Sequence, residues 1–148
     1  MARAIQKFDV GLKAFILRDG KLLAVRERAT GLWELPGGRI DVGEEHLPQT
    51  EVLAREIREE LGEGFCVEMG PLANTWIRKR PTDFVFLVGR VCRHRSGDPA
   101  LSDEHDDVAW VDEQSWRGLR LAPGYGAAIE GFWRILPGLG ASASALRP

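Results

Sequence analysis

A chain of 148 residues, 44% hydrophobic and 28% charged with a net charge of −2, suits a single globular domain. No basic or acidic excess marks nucleic acid or a membrane surface as the main partner. The N-terminal residues hold no apolar core of signal-peptide length, and no stretch reaches the roughly 20 apolar residues of a membrane span, which predicts a soluble cytoplasmic protein.

Along the chain, "FDVGLKAFILRDGKLLAVRER" holds two apolar runs broken by Asp19-Gly20, a hairpin signal. The short run "LWEL" stops at Pro36-Gly37-Gly38, which reads as a loop. Residues 49–62 form the strongest helix: Leu53, Ala54, Ile57 and Leu61 make one apolar face, and Gly62 stands at the C-cap position. Strand-like runs follow at 65–68, 72–78, 84–92 and 108–111. A second helix is expected over residues 126–136, where Ile129, Phe132, Trp133 and Leu136 recur at helical spacing. Strands alternating with two helices imply an α/β (α+β) layered domain over residues 1–140, with a mixed sheet. Residues 141–148 are small and polar and read as a disordered tail. Cys66 and Cys92 are too few for a disulfide framework, so two buried thiols in a reducing compartment are expected.

The first helix carries the chemistry. In "REIREELG" and the residue after it, Glu56, Glu59, Glu60 and Glu63 fall at i, i+3, i+4 and i+7, on one face. Four positions on from Glu56 and Glu59 stand further glutamates, a spacing that disfavours a helix by about 0.2–0.5 kcal/mol per pair. A solvated acidic face is the plain reading of such a run. Against it, the opposite face is apolar, so docking would aim the acids in one fixed direction. Carboxylate oxygens suit a hard cation such as Mg²⁺, which binds through a few carboxylates and substrate phosphates. They suit zinc poorly, because no neighbouring His or Cys completes a tetrahedral set. Upstream, Gly37-Gly38 would let the backbone approach a ligand closely, though alone it is only a turn.

With Gly38, then Glu44 after five residues, then Arg55-Glu56-Ile57 and Glu59-Glu60 before Gly62, the chain resembles the Nudix hydrolase family, whose signature is G-x5-E-x7-R-E-U-x-E-E-x-G-U. The approach "GLWELPGG" and the hairpin before it are similar to the family as well. Two departures stand out. Ten residues separate Glu44 from Arg55 where the pattern has seven, so either Glu44 or Glu45 fills the first acidic position. Pro48 and Thr50 place the extra residues in the loop before the helix. Glu63 also stands where a bulky apolar residue is expected.

The resemblance implies an αβα sandwich around a mixed β-sheet. It also implies metal-dependent hydrolysis of a phosphoanhydride bond in a nucleoside diphosphate linked to another moiety, with a nucleoside triphosphate and a nucleotide sugar both open. It assigns Glu56, Glu59 and Glu60 to Mg²⁺ or Mn²⁺, with Glu44 and the backbone at Gly38 as further donors. Arg55 orients Glu56, and the backbone around Gly37 faces metal or phosphate oxygens. The proton acceptor is Glu104, His105 or Glu56. Glu104 and His105 lie in "LSDEHDDVAWV" with Asp103, Asp106 and Asp107, a segment expected to be flexible enough to close over substrate; its plain reading is a solvated turn. Arg78 and Arg80 are candidates for phosphate, and Trp33, with Trp76 and Trp110 behind it, for stacking a base, although such residues are ordinarily solvated turns and core. The expected partner is a small-molecule nucleotide, with no nucleic acid, no membrane and a homodimer left open. A Nudix-fold sensor or interaction module without turnover is the rival reading, which the retained acids argue against.

Overall fold

The computed structural model describes residues 1–139; the expected tail at 141–148 lies outside the described residues. Seven strands form one mixed sheet: β1 (Asp9–Arg18), β2 (Lys21–Glu27), β3 (Trp33–Glu34), β4 (Gly37–Arg39), β5 (Cys66–Lys79), β6 (Phe84–Ser96) and β7 (His105–Val111). Helix α1 (Gln49–Leu61) and helix α2 (Tyr125–Ile135) complete the domain. Both helices and the hairpin at Asp19-Gly20 lie within a residue or so of where the sequence places them.

β1 is the organiser. It runs parallel to β6 from Asp9↔Val85 to Leu17↔Arg93. On its other edge it pairs with β2 only beside the hairpin turn, at Leu17↔Leu22 and Arg18↔Lys21. Beyond that point the hairpin opens, and β3 and β4 occupy the gap, β3 against β2 and β4 against β1. The Pro36-Gly37-Gly38 segment is therefore a short strand and not only a loop: Gly37 pairs with Lys13 and Gly38 with Leu12. The two runs at 65–68 and 72–78 are one strand, β5, whose register against β6 shifts between Met69 and Thr75. Pro71 interrupts the sequence signal there, and a proline within a strand is tolerated at an irregularity on the sheet edge.

Side-chain alternation along β1 feeds two cores. Leu12, Ala14 and Ile16 meet Val52, Leu53, Ile57 and Leu61 of α1. Phe15 faces the opposite way, stacking on Phe132 of α2 at 4.3 Å between ring centroids. A helix thus covers each face of the sheet, giving the αβα sandwich. Trp76 belongs to the α2-side core, between Phe15 and Tyr125, and is not a surface for a base. Trp110 is half-buried under the Arg18 guanidinium at 3.9 Å. Of the two thiols, Cys92 is buried, and burial pushes its pKa up to about 12; Cys66, expected buried, is exposed near the start of β5. Among the described residues no helix is long and apolar enough to cross a membrane.

Candidate active site

A cleft of about 730 Å³ opens where β4, α1 and the start of β7 converge. Burial of Val52, Leu53, Ile57 and Leu61 against the sheet fixes the rotation of α1. Glu56 and Glu60, one turn apart, then turn toward β4 and line the cleft. The four acids do not share one face. Glu59 and Glu63 point outward, with side chains 59% and 87% exposed. Glu59 also has a basic partner one turn back, since Arg55 Nη1 donates to it at 3.0 Å. The same guanidinium donates to Glu44 Oε1 at 2.7 Å and to Glu56 Oε1 at 3.1 Å. Between the two signature acids Glu44 is therefore the one bonded to Arg55, while Glu45 caps the local turn through the Gly43 N–H. The extra residues form a 3-10 turn, Glu44–His46, ahead of the helix.

β4 meets the acids at van der Waals range. The Gly37 N–H donates to Glu60 Oε2 at 3.0 Å. A Cβ on Gly38 would stand 2.4 Å from the Glu56 carboxyl carbon, so only glycine lets that carboxylate lie against the strand. The segment before β7 is not free to swing. The Ala100 N–H donates to Leu61 O at 2.9 Å and the Ser102 N–H to Glu60 O at 3.2 Å, satisfying carbonyls at the end of α1. The Arg28 N–H donates to Glu104 O at 2.8 Å. This binding to the helix end brings Glu104 and His105 beside Glu60. One ligand atom from each of the three lies within 4.8 Å of the others.

Behind the acids lies a buried charged cluster that the sequence reading missed apart from His105 and Arg78. Lys13, 6% exposed, donates from Nζ to Gly37 O at 3.1 Å and stands 3.6 Å from Glu34 Oε2. Arg78 Nη1 reaches the same Glu34 oxygen at 2.9 Å, and His105 Nε2 lies 2.9 Å from Glu34 Oε1. Tyr125, the first residue of α2, closes this end of the cleft. Arg80 lines the cleft and pairs with Asp83 at 3.5 Å. Of the sequence candidates, Gly37, Gly38, Glu56, Glu60, Arg78, Arg80, Glu104 and His105 share the cleft. Arg55, Glu44 and Glu59 stand behind or outside its lining, as does Trp33, whose ring centroid is 5.8 Å from the Arg26 guanidinium.

Burial and charge set the protonation. Burial drives the Glu60 pKa up to about 7, against the opposing pull of Lys13 and the Gly37 N–H. Glu56 is raised for the same reason, with Glu59 adding to it and Arg55 opposing. Burial alone would raise Glu34 too, but Lys13, the His105 hydrogen bond and Arg78 outweigh it and hold this carboxyl down at about 2. Lys13 is the mirror case: burial works to lower it, and Glu34, with Tyr125 and Glu60, carries it above its ordinary value. His105 also rises, because the hydrogen bond to Glu34 and the Glu60 charge exceed the effect of its burial. Glu34 is thus held as a carboxylate by its partners, whereas at Glu60 burial outweighs the partners, the condition in which a carboxylate gains most from a bound cation. The oxygen donors of Glu56 and Glu60 beside Gly38 fit a hard divalent ion.

A model of the NUDIX domain matches residues 7–130. The chain is 38% identical over 112 residues to a MutT-like protein of Streptomyces ambofaciens, covering 74% of this chain and 68% of the relative. It is 30% identical over 113 residues to nucleoside triphosphatase NudI of Enterobacter sp. (strain 638), covering 68% of this chain and 76% of that protein. Among solved structures, the E. coli ORF135 protein superimposes with a TM-score of 0.73 at 27% identity, covering 92% of this chain and 96% of that one. The domain match runs from the start of β1 into α2 and so takes in every strand that walls the cleft: the chain belongs to the Nudix family of hydrolases.

Proposed function

We propose that this chain hydrolyses a phosphoanhydride bond of a nucleoside triphosphate with the help of Mg²⁺ or Mn²⁺. The observation that carries the reading is the meeting of opposite charges in one cleft: Glu56 and Glu60 against β4, with Arg78, Arg80 and Lys13 in the same lining. A polyphosphate needs both, cations for its oxygens and carboxylates for a metal ion. Similarity to a nucleoside triphosphatase favours a triphosphate over a nucleotide sugar.

Glu56, Glu60 and the Gly38 backbone would hold the ion, with Glu59 and Glu44 acting through Arg55 or at the rim. When bound, a divalent ion neutralises phosphate charge and makes water more acidic. Arg55, bonded to Glu44 and Glu56 together, fixes the Glu56 carboxylate in place. Arg78 of β5 and Arg80, just beyond the end of that strand, both line the cleft and bind phosphate oxygens. Glu104, held by its backbone beside Glu60, takes the proton from the attacking water. The test incubates purified protein with Mg²⁺ and a panel of nucleoside triphosphates and nucleotide sugars. Nucleoside monophosphate and pyrophosphate released from a triphosphate are the expected products. Turnover confined to nucleotide sugars would overturn the substrate, and tight binding with no turnover would favour a sensor module.

A further inference from the structure

His105 brings an imidazole beside the carboxylates of the cleft, and its two ring nitrogens are in unlike situations. Nε2 is engaged by Glu34 at 2.9 Å. Nδ1 is buried with no hydrogen-bond partner, on a side chain only 2% exposed. A buried polar atom left unpaired is costly and calls for a missing partner. With the Nε2–H donated to the Glu34 carboxylate, the neutral ring leaves its lone pair on Nδ1. A carboxylate that takes one ring N–H while the other nitrogen stays open is the arrangement that orients a histidine toward a metal. A ring nitrogen of His105 lies within 4.8 Å of carboxylate oxygens of both Glu60 and Glu104.

We propose that His105 offers Nδ1 to the divalent cation held by Glu56 and Glu60, beside Glu104 as the proton acceptor, with Glu34 as the positioning residue that sets its tautomer. This rests on the metal-dependent reading above and adds a nitrogen to its donor set. One imidazole beside two carboxylates moves preference away from Mg²⁺, which takes oxygen, toward Mn²⁺ and other transition ions.

Pulsed electron paramagnetic resonance of Mn²⁺ on the whole protein tests this directly, with no turnover needed. The expected spectrum shows ¹⁴N modulation on bound Mn²⁺ that changes to the ¹⁵N pattern when the protein is made with ¹⁵N-histidine. The coupling should persist in His46→Gln, which removes an exposed histidine from the helix approach. His105→Gln, which keeps a donor toward Glu34 and loses Nδ1, should abolish it. The same variant should narrow the Mn²⁺ over Mg²⁺ affinity ratio by about tenfold, in the range of losses seen when a metal site's supporting groups are removed. Mn²⁺ bound with no nitrogen coupling in the wild type would overturn this proposal and leave the all-oxygen site standing. Failure of Mn²⁺ to bind at all would overturn both. The wild-type labelling result stands even where His105→Gln does not fold.

Discussion

Glu60 of the helix and Gly37 of the short strand are joined by a 3.0 Å hydrogen bond in which the strand N–H donates to the carboxylate. The carbonyl of the same glycine accepts from Lys13 at 3.1 Å. One peptide therefore ties the buried cation to the buried acid, and its geometry is strict.

Gly37 has a φ of +134°, and a Cβ there would lie 2.0 Å from the Leu12 carbonyl oxygen. Gly37→Ala is expected to cost about 2 kcal/mol or more, read by thermal or urea unfolding. Gly38→Ala differs, because its Cβ would meet the movable end of Glu56. Stability there should change by less than about 1 kcal/mol while turnover collapses. Equal stability losses at both positions would refute this division.

Glu60 makes the metal-free protein pH-sensitive. Its folded pKa of about 7 lies above the roughly 4.3 of an unfolded glutamate. Between these values the folded state holds the extra proton, so stability falls as pH rises from about 4.3 to about 7 and stays reduced above it. In excess chelator Glu60→Gln should flatten that slope and be the more stable protein at pH 8. With metal present it should lose about 10²-fold or more in kcat. Unfolding curves across pH in chelator check the first part; an unchanged slope would refute it.

Lys13 and Glu34 form a buried pair, and removing one partner strands the other. Lys13→Met is expected to destabilise by about 3 kcal/mol, and adding Glu34→Gln should recover part of that loss. A double-mutant cycle by urea unfolding measures the coupling. Strict additivity would show that Arg78 and His105 hold Glu34 without Lys13.

Glu104→Gln should lower kcat while scarcely moving KM, if this side chain receives the proton. Because the backbone at Glu104 is bonded to Arg28 and its segment to the end of α1, the variant should keep wild-type stability. A change confined to KM would reassign Glu104 to substrate binding.

Local pattern made the helix legible: its apolar face, its glycine stop and its acids are all written within a few turns. The same pattern misjudged which acids face inward, because Glu56, Glu59, Glu60 and Glu63 spread over more than one face once the apolar stripe is docked. Lys13 and Glu34 were invisible for a different reason. Each alternates with apolar neighbours, Leu12 and Ala14 or Trp33 and Leu35, and such a residue reads as the solvent side of a strand. Here that side faces a cleft, and the counter-charges come from positions 34, 78 and 105, far along the chain. β4 escaped notice because its partner becomes available only where β1 and β2 part. A loop and a three-residue strand have the same composition until that opening exists.

The parallel pairing of β1 with β6 has a consequence for how the domain comes together. Asp9 finds Val85 and Leu17 finds Arg93, so the central ladder cannot close until most of the chain has left the ribosome. Until then one whole edge of an apolar strand is a template for another chain. Loop closure over that span must precede its reward, which sets folding in the slow, non-local regime. The nascent protein is at its most aggregation-prone in the interval after the hairpin forms and before residues 84–96 emerge.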